Sequence, residues 1–304
     1  MFGDSQSLRC IKARVEEAMS GTHNKAFIVN RPIITIEQRQ NGCPQVHVFG
    51  ARETTAPPGY GTAGAVVNSV VSAYSGATSE VINYPACGGQ SSCGSVSYAN
   101  SVVQGVSAVA SQVNAFNQRC PNTVLVLVGY SQGGQIIDDA YCGGGDDNEG
   151  LGNAAIPIST AAQAKVAAAI FMGDPRHIVG LSYNVGTCQA SGFAPRPAGF
   201  QCPYASNIQS YCDSPDPYCC NGNDANAHQQ YTSQYGSNAL TFIKNKVDAA
   251  LKGSGEEDPA PTSTTPPTDQ TLRLRVAQQG TGISVVARAL VAPQSASYHT
   301  SAST

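Results

Sequence analysis

Residues 123–142 read TVLVLVGYSQGGQIIDDAYC and change abruptly from a strand-like to a helix-like pattern. The β-branched and aliphatic run predicts a buried strand, and the residues after it predict a helix. A strand that turns at once into a helix needs a tight corner, and such corners hold strained, exposed nucleophiles. Gly129, Ser131 and Gly133 match G-x-S-x-G, in which a side chain at either glycine would collide with the strand or helix. We predict a nucleophilic Ser131; the alternative is a turn in which Ser131 only caps the helix.

Strand-like and helix-like segments alternate along the middle of the chain. Strands are predicted at QVHVFG (residues 45–50), EVINYPA (80–86), the segment before Ser131 and AAIFMGDP (168–175). Apolar residues at helical spacing predict helices around residues 66–74, 102–116 and 240–247, after the serine, and near Gln163. This alternation favours an α/β three-layer sandwich with a mainly parallel central sheet covered on both faces. An active site is then expected beyond the carboxyl ends of the strands.

The cysteines indicate a disulfide framework. Ten of the eleven lie between Cys43 and Cys220, and only Cys10 lies outside that span. Metal binding is the weaker interpretation, because there is no repeated CxxC and the histidines do not interleave with the cysteines at finger-like spacing. Cys212 and Cys219 could close a small loop, and the neighbours Cys219 and Cys220 are expected to bridge different segments. Such a framework is typical of a secreted, extracellular protein.

Charge and hydropathy exclude two classes of partner. The formal net charge is −3 and only 12% of residues are charged, so there is no basic field to attract nucleic acid. The longest apolar run is about as long as one strand, whereas a bilayer needs roughly 20 residues. We expect a soluble monomer that needs no metal and no cofactor.

The two ends differ in composition from the middle. Residues 1–42 carry six Lys/Arg and four Asp/Glu without an apolar signal segment, so we expect an atypical leader or pro-segment that is disordered. Residues 253–270, GSGEEDPAPTSTTPPTDQ, predict an extended linker rich in Pro, Ser and Thr. Residues 271–304 hold one aromatic residue and no cysteine, which predicts a tail of low order. The catalytic domain is expected at residues 43–252.

A serine nucleophile needs a base, and His228 is the preferred candidate among five histidines. It stands directly before the last predicted helix, after the nucleophile in chain order. His177 is a rival because Asp174 precedes it by three residues, although a base so close to its own acid would have difficulty facing Ser131. His47 lies inside a predicted strand, where a hydrogen-bonded structural role is expected.

Asp216 is the preferred acid, 12 residues before the histidine. It lies between Cys212 and Cys219, and a disulfide there would hold the carboxylate where it can fix the imidazole tautomer. Asp213 and Asp224 are the alternative acids. The amide of Gln132, at the N-terminus of the helix after the serine, is expected to stabilise an oxyanion beside Ser131.

Six segments together resemble one family: CPQVHVFGARETTAPPGYG, NYPACGGQSSCG, VLVGYSQGGQI, FMGDP, RPAGFQCP and YCDSPDPYCCNGNDANAHQQY. The chain resembles fungal acetylxylan esterases of the carbohydrate esterase family that also contains cutinases, from residue 43 to about residue 252. The resemblance implies a cutinase-like α/β-hydrolase sandwich in which Ser131, Asp216 and His228 are catalytic. It also implies Thr54 as a second oxyanion donor beside Gln132. The disulfides that it implies are Cys43–Cys120, Cys87–Cys93, Cys142–Cys202, Cys188–Cys220 and Cys212–Cys219.

The residues around His228 bear on the substrate. The segment NGNDANAHQQYTSQYG is polar throughout, whereas an enzyme for long acyl chains needs an apolar rim. Tyr218 and Tyr231 could stack on sugar rings and shorten the acyl pocket, or could simply pack at the surface. The favoured substrate is therefore acetylated xylan or a xylo-oligosaccharide. The alternatives are a cutinase or short-chain lipid or polyester esterase on the same fold, and a non-catalytic carbohydrate-binding protein.

Overall fold

A computed structural model describes residues 42–152 and 158–253. The predicted leader at residues 1–42 lies outside the described residues except for residue 42, and so does Cys10. The predicted linker at 253–270, apart from its first residue, and the predicted tail at 271–304 lie outside them as well.

Six parallel strands form one central sheet. They are β1 (Val46–Ala51), β2 (Thr78–Val81), β3 (Val124–Tyr130), β4 (Val166–Met172), β5 (Asn184–Val185) and β6 (Ile208–Tyr211). Their order across the sheet is β2-β1-β3-β4-β6-β5, and every pairing is parallel. The last residues of neighbouring strands are in register: Tyr130 pairs with Met172, and Met172 pairs with Tyr211. The loops that leave β3, β4 and β6 therefore start from one edge of the sheet.

Helices cover both faces of the sheet, which confirms the predicted three-layer α/β sandwich. The helices are α1 (Gly64–Ala73), α2 (Tyr98–Arg119), α3 (Gln132–Cys142), α4 (Thr160–Gln163) and α5 (Tyr231–Gly253). Alternate strand residues point to opposite faces, so Leu125 and Leu127 pack in the core with α2 and α3. Val126 and Val128 pack in the other core with α1 and α5.

The strands differ from the sequence prediction in two places. The predicted strand at residues 80–86 begins and ends earlier, because β2 spans Thr78–Val81. Beyond it the chain leaves the sheet, and the Asn83 amide donates to the Gln112 side chain at 2.8 Å instead of to a strand. The short strands β5 and β6 were not predicted at all.

Five disulfides connect the domain, and their pairing confirms the one that the resemblance implied. They are Cys43–Cys120, Cys87–Cys93, Cys142–Cys202, Cys188–Cys220 and Cys212–Cys219. Among the described residues, no helix is both long enough and apolar enough to span a membrane.

Candidate active site

The corner between β3 and α3 has the strain that its sequence predicts. Ser131 has φ 52° and ψ −122°, a backbone conformation that is costly for a residue with a side chain. A Cβ atom at Gly129 would lie 2.3 Å from the carbonyl oxygen of Gly133. A Cβ atom at Gly133 would lie 2.2 Å from the carbonyl oxygen of Ala51. Both glycines are therefore steric requirements, as predicted, and they let the corner close so tightly that Ser131 protrudes.

Ser131 opens into a pocket of about 410 Å³ at the carboxyl edge of the sheet. His228 lines the same pocket, so the structure brings these two predicted residues together from positions 97 apart in the chain. The Ser131 amide donates to the carbonyl oxygen of Met172 at 2.7 Å, which ties the corner to the end of β4.

Asp216 holds His228 in a defined orientation. The Nδ1 atom of His228 lies 2.7 Å from Oδ2 of Asp216, and both side chains are buried. The other carboxylate oxygen, Oδ1, accepts hydrogen bonds from the backbone amides of Tyr218 at 2.6 Å and Cys219 at 3.2 Å. Because Nδ1 carries the hydrogen in this arrangement, Nε2 is the nitrogen that can accept a proton.

The charge on Asp216 is stabilised despite its burial. Burial alone would raise its pKa, but the hydrogen bond and positive charge of His228 lower it, as do the hydrogen bonds from Tyr218 and Tyr231. The balance holds the pKa of Asp216 below its ordinary value. The carboxylate therefore stays ionised at neutral pH and can stabilise a protonated imidazole.

Two residues of neighbouring strand ends fix the position of His228. Gly173 follows β4 with φ 65°, and a Cβ atom there would lie 2.6 Å from Cε1 and 2.8 Å from Nδ1 of the imidazole. The Tyr130 hydroxyl, at the end of β3, donates to the backbone carbonyl of His228 at 2.6 Å. The imidazole thus packs directly on backbone that only glycine can provide.

Of the two expected oxyanion donors, Thr54 lines the same pocket and Gln132 directly follows Ser131, which also lines it. Thr54 lies in the loop after β1. Gln132 is the first residue of α3, where an amide has no acceptor within its own helix. Its buried side chain accepts from Ser101 Oγ at 2.9 Å and donates to the Cys87 carbonyl at 3.1 Å. These bonds hold the start of α3 against α2 and the loop after β2.

The loop that carries Thr54 is tied down by the buried Arg52. Its guanidinium donates to the backbone carbonyls of Tyr84 at 2.7 Å and Ala56 at 3.0 Å. Glu53 accepts from the amide and the hydroxyl of Thr62 at 2.9 Å and 2.7 Å. The backbone around Thr54 is therefore fixed on both sides before any substrate binds.

Comparison with known proteins decides the family. A family model described as Cutinase matches residues 42–247. The chain belongs to the cutinase family. It is accordingly a carboxylic ester hydrolase, which removes the alternative of a non-catalytic binding protein.

Members of the cutinase family with different names resemble this esterase about equally. "Acetylxylan esterase 2" of Talaromyces purpureogenus is 64% identical over 208 residues, which cover 68% of this chain and 89% of the relative. "Cutinase 11" of Verticillium dahliae is 63% identical over 212 residues, covering 70% of this chain and 72% of the relative. The solved catalytic core domain of acetyl xylan esterase from Trichoderma reesei is 62% identical, with a TM-score of 0.67, and covers 67% of this chain and 99% of that one.

His177, the rival base in this cutinase-family esterase, does not line the pocket that Ser131 and His228 share. His177 is buried, and its ring lies close to the sulfur atoms of Cys188 and Cys212. Both cysteines are in disulfides, so the three residues cannot form a metal site. Burial lowers the pKa of His177 to about 4. Burial also raises the pKa of Asp174 well above its ordinary value. Neither ring nitrogen of His177 has a hydrogen-bond partner among the described residues, so Asp174 does not orient this histidine.

The alternative acids and His47 have other partners. Oδ1 of Asp213 accepts from the Thr187 amide at 2.9 Å and the Tyr235 hydroxyl at 3.0 Å. Asp224 accepts from the Asn226 amide at 2.9 Å within a turn. His47 bonds Thr78 Oγ1 at 2.7 Å, which agrees with its expected structural role.

The two tyrosines expected to bind substrate have different environments. Tyr218 is 41% exposed, lines the pocket and places its ring 4.6 Å from the imidazole of His228. Tyr231 is 0% exposed, and its hydroxyl donates to Oδ2 of Asp216 at 2.8 Å. The stacking role expected of Tyr231 is therefore wrong, because a ring without exposed surface cannot contact a sugar.

Two aromatic residues that form one wall of the pocket were not predicted from the sequence. Tyr98 and Phe193 line it, and their rings meet edge to face at 5.4 Å. The Phe193 amide donates to the backbone carbonyl of Tyr218 at 3.1 Å, which places Phe193 beside the tyrosine that covers His228. Phe193 is 49% exposed. No short motif marks it, since it lies in an irregular segment between β5 and β6.

A buried ionic network beneath α3 was also missed. Arg176 lies 3.1 Å from Asp139, and Arg196 lies 3.0 Å from Asp138 and 3.2 Å from Asp139. All four side chains are buried. The network ties α3, the helix that begins at Gln132, to the segments before and after β5.

Proposed function

We propose that this esterase is a secreted enzyme that removes acetyl groups from acetylated xylan through an acyl-enzyme. Ser131 is the nucleophile, His228 the general base and Asp216 the acid that orients it. The observation that carries this proposal is the 2.7 Å contact between His228 Nδ1 and Asp216 Oδ2 at the pocket that Ser131 also lines. The strained backbone of Ser131 supports it.

The proposed reaction has two halves. Nε2 of His228 takes the Ser131 proton while Oγ attacks the acetyl carbonyl carbon, and the amides of Gln132 and Thr54 receive the negative oxygen. The protonated imidazole then gives its proton to the departing sugar oxygen, which leaves an acetyl group on Ser131. Water, deprotonated by His228, attacks this ester, and its cleavage returns the proton to Ser131 and releases acetate.

The leaving sugar is proposed to lie on the histidine side of the pocket, because His228 protonates its oxygen. Tyr218 and Phe193 are on that side, as exposed aromatic surface that can contact the C–H face of a pyranose. Glu53, Gln90 and Gln229 also line the pocket and offer polar partners for sugar hydroxyls. The relatives named acetylxylan esterase support the same substrate.

A second candidate function is hydrolysis of cutin, or of a short-chain lipid or polyester. The relative named Cutinase 11, at 63% identity, and the exposed apolar ring of Phe193 favour it. Five disulfides support secretion under either function, since such bonds persist in oxidising compartments.

Acyl-chain selectivity tests the two functions against each other. We expect kcat/KM to be highest for 4-nitrophenyl acetate and to fall for the butyrate and longer esters, with acetate released from acetylated xylan. An optimum beyond butyrate, without release of acetate from xylan, would favour the polyester substrate. Ser131→Ala is the control for background hydrolysis in both assays.

A further inference from the structure

Tyr231, misjudged from the sequence as a surface residue, makes a hydrogen bond that the proposed reaction does not yet use. It is the first residue of α5 and lies three positions after His228. Its hydroxyl lies 2.8 Å from Oδ2 of Asp216, the same oxygen that contacts His228 Nδ1. The side chain has no exposed surface, so its polar group serves partners inside the protein.

The direction of this hydrogen bond follows from the other contacts of the hydroxyl. The backbone amide of Asp213 lies 2.9 Å from the Tyr231 oxygen, and an amide can only donate, so the oxygen accepts there. Sγ of Cys219 lies 3.3 Å away, but a disulfide sulfur is a much weaker acceptor than a carboxylate, so the single hydroxyl proton goes to Asp216. Burial raises the pKa of Tyr231 far above its ordinary value, so the hydroxyl keeps that proton.

Asp216 is then saturated with donors. Oδ2 accepts from Tyr231 and His228, and Oδ1 accepts from the amides of Tyr218 and Cys219. An ionised carboxylate offers about four acceptor sites, so all of them are occupied. Rotation of the carboxylate would break several hydrogen bonds at once, which fixes the direction of Oδ2 toward the imidazole.

We propose that Tyr231 is a positioning residue of this esterase, whose hydroxyl holds Asp216 oriented and moderates its basicity toward His228. The proposal rests on the proposed roles of Ser131, His228 and Asp216. The hydroxyl draws charge from Oδ2, so the carboxylate stabilises the protonated imidazole less than it would without this donor. Removal of the hydroxyl is expected to loosen the carboxylate and to concentrate its charge on the side that faces the imidazole.

The other titratable groups around Asp216 and His228 do not moderate the basicity of Asp216 in this way. The titratable groups that face the pair are Asp213, Glu53, Tyr130, Tyr218 and Tyr235. The carboxylates of the two acids accept hydrogen bonds from Thr187 and Thr62 and not from Tyr231, and the Tyr235 hydroxyl donates to Asp213. The Tyr130 hydroxyl donates to the His228 backbone and not to the ring.

Tyr231→Phe removes the hydroxyl and keeps the buried ring. We expect kcat for 4-nitrophenyl acetate to fall about tenfold, with KM within about twofold, since a hydrogen bond to a charged group is lost. The acid-side midpoint of the pH profile of kcat/KM is expected to move to higher pH, because Asp216 stabilises a protonated imidazole more strongly without this donor. A merely structural tyrosine would lower stability without moving that midpoint.

Tyr235→Phe is the matched control. Tyr235 lies one turn further along α5, and its hydroxyl bonds Asp213 at 3.0 Å instead of Asp216. We expect this variant to keep the wild-type kcat and pH profile. An unchanged profile for Tyr231→Phe, or equal changes in the two variants, would overturn the positioning role while Ser131→Ala remains inactive. Activity in Ser131→Ala would instead overturn the proposed function.

Discussion

Gly173→Ala places a methyl group against the imidazole of His228, the proposed general base, without removing any functional group. The added carbon would lie 2.6 Å from Cε1 and 2.8 Å from Nδ1 of His228. Ordinary contacts begin near 3.4 Å, so the ring must shift by about 1 Å. That shift breaks or stretches the 2.7 Å hydrogen bond to Asp216. We expect kcat to fall on the order of 100-fold, the typical effect of a 1 Å misplacement.

The backbone cost of this substitution is separable from the collision. Gly173 has φ 65°, where alanine is strained by about 1 to 2 kcal/mol. Gly76→Ala is the matched control, because Gly76 has φ 77° and no atom within 4 Å of the added carbon. Equilibrium unfolding in urea should show the backbone cost in both variants and a further loss of stability in Gly173→Ala, where the added carbon collides with His228. The assay is kcat for 4-nitrophenyl acetate, and equal activities in the two variants would refute the packing argument.

Three further variants test separate parts of the site. Ser131→Ala should abolish turnover of 4-nitrophenyl acetate in a protein that unfolds like the wild type, and retained turnover would count against the nucleophile. Phe193→Ala should raise KM for acetylated xylan about tenfold but leave the aryl ester unaffected, whereas Val179→Ala, 52% exposed and outside the pocket lining, should change neither. Between pH 6.5 and pH 5, the free energy of unfolding should fall by about 1 to 2 kcal/mol less in His177→Leu than in the wild type.

The burial of His177 makes the wild type less stable as the pH falls. Burial lowers its pKa to about 4 in the folded state, against 6.5 ordinarily. The unfolded chain therefore binds the proton more readily in that window, and stability falls as the pH drops from 6.5 toward 4. Neither ring nitrogen has a hydrogen-bond partner among the described residues, so leucine removes no bond that is seen there. A variant with the same pH dependence as the wild type would contradict this account.

The sequence predicted the part of the site that is encoded locally. The corner at Ser131 needs only a strand, two glycines and a helix, all within one short segment. The order of Asp216 and His228 followed from their positions between the serine and the last helix, and the spacing of Cys212 and Cys219 already suggested the disulfide that encloses Asp216. The central strands were predictable because each is a buried and mostly apolar run.

The parts that escaped prediction depend on tertiary contacts. The strands β5 and β6 have two and four residues with mixed polarity, too few to show a period. Tyr231 stands in a polar stretch that suggests exposure, and only the packing of α5 on the sheet buries it. The pairing of Arg196 with Asp138 joins residues 58 positions apart, for which the sequence carries no local signal.

Covalent labelling can show directly whether Ser131 is the nucleophile of this esterase. Incubation with an alkyl organophosphonate, followed by digestion and tandem mass spectrometry, locates the residue that attacks an electrophilic ester analogue. If Ser131 is the nucleophile, we expect one adduct per chain, on Ser131, formed in step with the loss of esterase activity. Full loss of activity with the adduct on another residue, or full activity with Ser131 labelled, would contradict it.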